Sequence, residues 1–240
     1  MRRRWIADTV SPSPGHPTHA ALTGDQAIHL ARVLRAQPGQ LFDVVAAGFL
    51  HRAEVTTVSP ERVEFILHEE LESDHALPLH LYLAIFKFDH FEWAIEKATE
   101  LGVARITPIL ARRTEKHLTQ AAPKRVERWR RIAHEASQQS RRTAVPEVAD
   151  PTPLKLALQQ EQAPLRILLS ETEQTLTLAS ALGTPTESLA LAIGPEGGWT
   201  PEEMALFTTH AWTHVTLGPR ILRAETAAIA AIAIAGTYLA

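Results

Sequence analysis

The residues best suited to chemistry lie in two strand–turn–helix stretches near the C-terminal end, LALAIGPEGGWTPEEM and HVTLGPRILRAETAAIAAIAIA. In the first, Gly194, Gly197 and Gly198 separate an apolar strand from a helix start marked by Thr200, Pro201 and Glu203. Thr as N-cap, Pro at the first helical position and Glu at the third satisfy the otherwise orphaned backbone donors of that turn. Glycines there let the backbone approach a ligand at the strand ends where open α/β sheets bind small molecules; a tight structural turn is the other reading. No Lys-Ser/Thr follows and no GxGxxG is present, so neither a phosphate loop nor a dinucleotide fingerprint is supported. In the second stretch Gly218 and Pro219 make the turn, and Arg220, Arg223, Glu225 and Thr226 open an otherwise apolar helix. Those polar groups either cap a core helix at the surface or form a second ligand loop beside the first.

Other chemistry is excluded by composition. With Cys 0 there is no disulfide framework, thiolate zinc site, iron–sulfur cluster or cysteine nucleophile. His210 and His214 are four apart, but without a nearby Glu, and running from a helix end towards a strand, they make a poor ligand pair, so no metal is expected. Trp5, Trp93, Trp129, Trp199 and Trp212 read as packing anchors. At 45% hydrophobic and 21% charged, the chain is an ordinary globular protein of one or two domains. Its start, MRRRWIADTVSPSP, is basic but has no apolar stretch behind it, so no targeting segment is expected and the expected location is cytoplasmic. Ala227 to Ala235 is far short of the ~20 residues that span a bilayer and reads as a buried helix.

The formal net charge of −3 is unevenly spread: residues 105–142 hold eleven Lys/Arg and three Glu. Within that band PKRVERWRRIAHEASQQSRR reads as a helix with Pro123 in its first turn and Val126, Trp129, Ala133 and Ala136 on one apolar side. Lys124, Arg128 and Arg131 form a separate stripe, flanked by Arg125 and, if the helix runs on, joined by Arg142. The stripe is either a solvated face or a nucleic-acid contact.

These residues need elements to position them. The first ~75 residues look β-rich. A polar loop, SPSPGHPTH, precedes a helix over TGDQAIHLARVLR, on which Arg32 and Arg35 share a face. Three strands follow, turning near Ala47-Gly48 and Ser59-Pro60, as a meander or small barrel. HEELESDHALP reads as a linker. From Leu79 strands alternate with helices, which implies a parallel sheet covered on both faces. Asp89 and Glu92 read as the N-cap and N3 pair of the first of these helices, with Phe91, Ala94, Ile95, Ala98 and Leu101 on its apolar face and Gly102 as its stop.

Taken together, these stretches resemble the RsmE-type 16S ribosomal RNA (uracil-N3) methyltransferases of the SPOUT (trefoil-knot) superfamily. IGPEGGWTPEE at 193–203 and LGPRILRAETA at 217–227 are similar to that family's two cofactor-loop motifs. IEKATELGVARITPI at 95–109, EASQQSRRTAVPEV at 135–148 and ARVLR at 31–35 match other family segments in order. Two departures stand out: Phe86 precedes Lys87 where the family commonly has glycine, and Arg141 stands at the usual glycine of the Gln…Gly-Arg pattern, next to Arg142.

The resemblance implies an α/β fold, a SPOUT-type parallel sheet with a C-terminal trefoil knot, preceded by a small PUA-like β-barrel domain, with RNA-binding residues 1–75 and a methyltransferase domain over 76–240. It implies a homodimer, S-adenosylmethionine as cofactor and 16S ribosomal RNA in the small subunit as partner, with no membrane and no metal. Cofactor contacts would come from Ile193, Gly194, Pro195, Glu196, Gly197, Gly198, Leu217, Gly218, Arg220, Ile221, Leu222 and Thr226, with Ser170 at the end of the preceding strand. Arg142, Arg223 and Glu225 are the expected catalytic residues: Arg142 on the target nucleotide or its phosphate, Arg223 and Glu225 ordering the cofactor loop and substrate pocket. Arg32, Arg35, Lys87, Lys124, Arg128 and Arg131 are the expected RNA contacts. No general base is evident. The competing expectations are the same fold acting on another RNA, and a non-catalytic RNA-binding or ribosome-assembly protein.

Overall fold

The computed structural model describes residues 5–11, 18–72, 75–183 and 186–239. Its contacts divide the described chain into two compact units. The first runs to His75 and also takes Ser137–Ala144; the second comprises Ala76–Ala136 and the residues from Val145 onward.

The first unit is built from β1 (Trp5–Ile6), β2 (Thr9–Ser11), β3 (His19–Thr23), α1 (Gly24–Ile28), β4 (Leu41–Ala46), β5 (Phe49–Val58) and β6 (Arg62–Glu70). They form one sheet in the order β1-β4-β5-β6-β3-β2. β1 and β2 are separated only by Ala7 and Asp8, whose N–H groups donate to the Val45 and Ala21 carbonyls, so one N-terminal strand borders β4 on one side and β3 on the other and the sheet curls back on itself. Ala47 and Gly48 both take positive φ, 52° and 87°, the geometry a two-residue hairpin requires between right-twisted strands. Trp5, Leu22, Leu30, Val44 and Phe65 are buried on the inner side. A π-helical turn, His29–Val33, follows α1.

The second unit contains β7 (Leu77–Ala84), α2 (Phe88–Glu100), β8 (Val103–Leu110), α3 (Lys116–Ala121), α4 (Val126–Gln139, whose last turn belongs to the first unit), β9 (Glu147–Val148), β10 (Thr152–Pro153), α5 (Leu154–Gln160), β11 (Leu165–Leu169), α6 (Leu178–Ala181), β12 (Leu189–Ile193), α7 (Pro201–Thr209), β13 (Thr213–Val215) and α8 (Ala224–Leu239). The sheet is parallel throughout, in the order β10-β8-β7-β12-β11-β13 with β9 beside β8. Period-2 alternation sorts its side chains between two cores. Leu79, Leu81 and Leu83 of β7 and Leu189, Leu191 and Ile193 of β12 join Phe91, Ile95, Trp129 and Ile232 on one face. Tyr82, Ala84, Ala190 and Ala192 join Leu154, Leu158, Phe207 and Trp212 on the other. So α2 and α8 pack together over one face while α5 and α7 pack over the other. Because every strand runs the same way, the turns after β7, β8, β11, β12 and β13 all emerge at one edge of the sheet.

Several local expectations are corrected. Arg32 and Arg35 do not share a helical face: Arg32 lies in the π-helical turn, and Arg35 lies beyond it with φ 52°. The linker is shorter than read, because β6 continues to Glu70 opposite His51 and β7 already begins at Leu77. The N-cap of α2 is Lys87 and makes no side-chain cap bond. Asp89 sits inside its first turn, and Glu92 is drawn away to Arg125 (3.2 Å) and Arg128 (2.9 Å). Pro123 closes a separate 3-10 turn before α4 starts at Val126. The helix ends at Gln139, so Arg142 does not extend the basic stripe. The loop read at SPSPGHPTH lies mostly outside the described residues. The helix α5 and the short β9 and β10 were not anticipated.

Candidate functional site

The first glycine turn is held from several sides. After β12, the Gly198 N–H donates to the Pro195 carbonyl at 2.8 Å, closing the turn. Thr200 and Glu203 form the expected capping box, with Pro201 at the start of α7. Glu203 does more than cap. It is 3% exposed, one oxygen accepts the Thr200 N–H (2.9 Å) and the other accepts the Arg112 N–H (2.8 Å), so one carboxylate ties the turn after β12 to the turn after β8. Such a buried charge is tolerable because each oxygen takes a backbone donor and the helix N-terminus favours negative charge. Arg113 adds a second tie, donating from Nη1 to the Gly197 carbonyl at 2.6 Å. A Cβ on Gly194 would stand 3.0 Å from Trp199 Nε1, so the indole packs tightly against the glycine backbone and a side chain there would have to displace it. That indole nitrogen is buried and, among the described residues, has no hydrogen-bond partner.

The second glycine turn is built differently. Val215 ends β13, Thr216 donates its N–H to Leu176 and accepts from Leu178, and its hydroxyl accepts the Gly218 N–H at 3.1 Å. Ser170, at the end of β11, is buried, donates its N–H to the Val215 carbonyl (2.9 Å) and shares a hydroxyl bond with Thr172 (2.9 Å). Beyond Gly218 the chain is exposed: Pro219, Arg220 and Arg223 face solvent, and Ile221 is 87% exposed. The Arg223 carbonyl accepts the Ala227 N–H at the start of α8, and among the described residues its guanidinium has no partner.

Beside this turn lies an open cleft of about 710 Å³ lined by Asp89, His90, Trp93, Ile221, Leu222, Arg223, Glu225 and Thr226. Glu225 is 3% exposed, and its Oε1 stands 3.1 Å from His90 Nδ1. The structure therefore gathers Ile221, Leu222, Arg223, Glu225 and Thr226 in one cleft. Gly194–Gly198, Ser170, Leu217, Gly218 and Arg220 share the same sheet edge but do not line it. His90 and Trp93 were missed as site residues. The signal was their three-residue spacing in DHFEW, on a helix whose buried side is carried by Phe91, Ala94, Ile95 and Ala98. Trp93 is the exception among the tryptophans: 45% exposed, while the other four are buried.

The two family departures acquire physical reasons. Phe86 is buried, with its ring edge-on to Phe91 at 5.5 Å, and Lys87 after it is exposed. Arg141 has φ 63°, and the Arg142 N–H donates to the Ser137 carbonyl at 2.9 Å. This is the left-handed stop that a glycine usually supplies at a helix end, and a non-glycine residue there costs about 1 kcal/mol. Arg141 is thus the exposed stop residue, while Arg142 is half-buried. Burial lowers the Arg142 pKa to about 10, which leaves it charged at neutral pH.

The other basic residues differ in engagement. Arg128 pairs with Glu92, and Arg131 lies 3.9 Å from Glu135, while Lys124, like Arg32 and Arg35, is exposed. Among the described residues no cluster of His, Asp and Glu suitable for a metal is present, and no helix is long and apolar enough to cross a membrane.

Comparison with known proteins places this geometry. A family model described as an RNA methyltransferase domain matches residues 73–236, and one described as an RNA methyltransferase PUA domain matches residues 22–67. The chain is 33% identical to the ribosomal RNA small subunit methyltransferase E of Bacillus subtilis, over 97% of this chain and 94% of that protein. It is 34% identical to the protein of the same name from Synechocystis, over 93% and 75%. Among solved structures, the ribosomal RNA small subunit methyltransferase E of Neisseria gonorrhoeae bound to S-adenosyl methionine superposes with a TM-score of 0.84 at 30% identity, over 99% of this chain and 98% of that one.

Proposed function

We propose, for a chain that belongs to the RNA methyltransferase family, methylation of the N3 of a specific uridine in the 16S ribosomal RNA of the small subunit, dependent on S-adenosylmethionine. The observation that carries this reading is the placement of two glycine turns at one edge of a parallel sheet, with the second opening onto a cleft that presents Arg223 and Glu225. The residues fit the cofactor on two counts: the turn is rich in glycine, so its backbone can meet a ligand closely, and the buried Trp199 Nε1, packed against Gly194, is a donor without a partner among the described residues.

Ser170, Ile193, Gly194, Pro195, Glu196, Gly197, Gly198, Leu217, Gly218, Arg220, Ile221, Leu222 and Thr226 would hold it. When bound, S-adenosylmethionine supplies an electrophilic methyl on its sulfonium. The protein supplies position and charge. In-line alignment is a large part of such a reaction, and Arg223, exposed and without a partner among the described residues, is suited to stabilise the anionic oxygens of a deprotonated uracil imide. Arg142 contacts the target nucleotide or its phosphate.

Arg32, Arg35, Lys87, Lys124, Arg128 and Arg131 contribute phosphate contacts; residues 1–75 act as a PUA-like RNA-binding domain and residues 76–240 as a SPOUT methyltransferase domain. The strand order β7-β12-β11-β13 and the bonding of Thr216 to Leu176 and Leu178 support a trefoil-knotted passage. The working form is a cytoplasmic homodimer. The test is transfer of labelled methyl to small subunits from a strain lacking this protein, with naked 16S RNA and tRNA alongside. Label recovered as 3-methyluridine from subunits is the expected result; cofactor binding without label in any RNA would overturn the substrate assignment.

A further inference from the structure

Methylation at N3, on which this inference rests, requires loss of a proton, because the N3 lone pair of a neutral imide is delocalised into two carbonyls and is a poor nucleophile. Among the groups lining the cleft, few can take that proton. The Arg223 guanidinium accepts none. The Thr226 hydroxyl and the Trp93 indole are far too weakly basic. The Asp89 side chain is 78% exposed, and a solvated carboxylate is a weak base. Glu225 is buried, and its Oε1 is already engaged by His90. His90 remains.

His90 is also placed for the task. It sits in the first turn of α2, its side chain 35% exposed, with Nδ1 3.1 Å from the buried Glu225 carboxylate across the α2–α8 contact. A buried carboxylate this close to Nδ1 favours the imidazolium formed when the ring takes up a proton, and it holds the ring at the mouth of the cleft. The other charged groups around the ring are Asp89 on its own helix, 3.7 Å from Nε2, and Arg223 from the loop across the cleft.

We infer that His90 is the proton acceptor of the reaction and that Glu225 is its positioning residue. The uracil N3–H bond breaks with its proton passing to His90 Nε2. The electron pair left on N3 forms the new N–C bond as the methyl leaves the sulfonium, whose sulfur keeps the electron pair of the broken bond. The imidazolium then returns its proton to solvent. General-base contributions of this kind are worth about 10²- to 10⁴-fold in rate.

The experiment uses the full chain with small subunits under single-turnover conditions from pH 6 to 9, beside an NMR titration of the His90 ring in the ligand-free protein. Wild-type transfer should rise with pH and level off at the midpoint of the His90 titration. His90→Gln should bind S-adenosylmethionine as the wild type does and lose at least 100-fold in rate near neutral pH. Its rate should climb through the whole range instead of levelling, with partial rescue by added imidazole. Glu225→Gln should move the NMR midpoint, a readout that needs no turnover. His90→Gln within threefold of wild type and with the same pH profile would overturn the inference while leaving the methyltransferase reading intact. So would a rate loss matched by an equal loss of cofactor affinity. A wild type that transfers no methyl to any RNA would overturn both.

Discussion

Glu203 and Glu225 occupy nearly equivalent places, each in the first turn of a helix that follows a glycine turn at the same sheet edge, and each 3% exposed. Their partners separate them. Glu203 is held by two backbone N–H groups, which cannot titrate or swing away. Glu225 meets an imidazole that is one-third exposed and opens onto a cleft. The α5/α7 face repeats the first pattern at Glu161, which accepts from His80 (2.6 Å), Tyr82 (2.7 Å) and the N–H groups of Gln162 and Ala163. One side of the sheet edge is a fixed frame and the other is exposed: the turn before α7 is tied by backbone donors, and the turn before α8 opens onto the cleft.

The largest effect expected is at the frame. Gly194→Val places a branched side chain where even a Cβ meets Trp199 at 3.0 Å, so S-adenosylmethionine affinity should fall more than about 100-fold. Calorimetric titration measures it, and unchanged affinity would place the cofactor elsewhere.

Next is the acid response of the same face. Burial raises the Glu161 pKa, but the hydrogen bonds from His80, Ala163 and Tyr82 together outweigh it and hold it at about 2 against an ordinary 4.5. A carboxylate with a lowered folded pKa stabilises the fold fully above the unfolded value and loses that contribution as pH falls through the folded one. About 3 kcal/mol should therefore disappear between pH 4.5 and 2. Urea unfolding across that window should show the loss in the wild type and much less of it in Glu161→Gln; equal slopes would show the network to be unimportant.

Glu203→Ala removes the bond its carboxylate accepts from the Thr200 N–H and strands the Arg112 N–H, which should lower stability by about 2 kcal/mol. A drop below about 0.5 kcal/mol would mean that solvent replaces it and the frame is not fixed. The smallest effect belongs to the surface. Lys124→Ala should reduce the slope of log RNA affinity against log salt by about 1. Arg128→Ala should change it less, since Arg128 already pairs with Glu92. An unchanged slope for Lys124→Ala would take that residue out of the RNA contact.

What was legible in the sequence follows the same division. The frame is local: Thr200, Pro201 and Glu203 announce the α7 start within four residues, and apolar strand runs separated by helices announce the parallel sheet. The exposed side is not local. His90 meets Glu225 only because α2 and α8 pack together from distant parts of the chain, and its three-residue spacing from Trp93 places it off the buried side of α2 without announcing that partner. The expected Asp89 and Glu92 cap was a sound local reading overridden by Arg125 and Arg128, whose pairing with Glu92 depends on tertiary packing. Arg141 hid a helix stop because its residue type argues against the left-handed conformation it adopts. Among the missed elements, α5 is seven residues and β9 and β10 are two each, too short for periodicity to register.

The most direct test of this division is Arg223→Ala, measured for cofactor affinity by calorimetry and for methyl transfer to small subunits in the same preparation. The account predicts S-adenosylmethionine affinity within about threefold of wild type and a transfer rate lowered by about 100-fold or more. Affinity and rate falling together would make Arg223 itself a cofactor contact, and an unchanged rate would remove Arg223 from the chemistry.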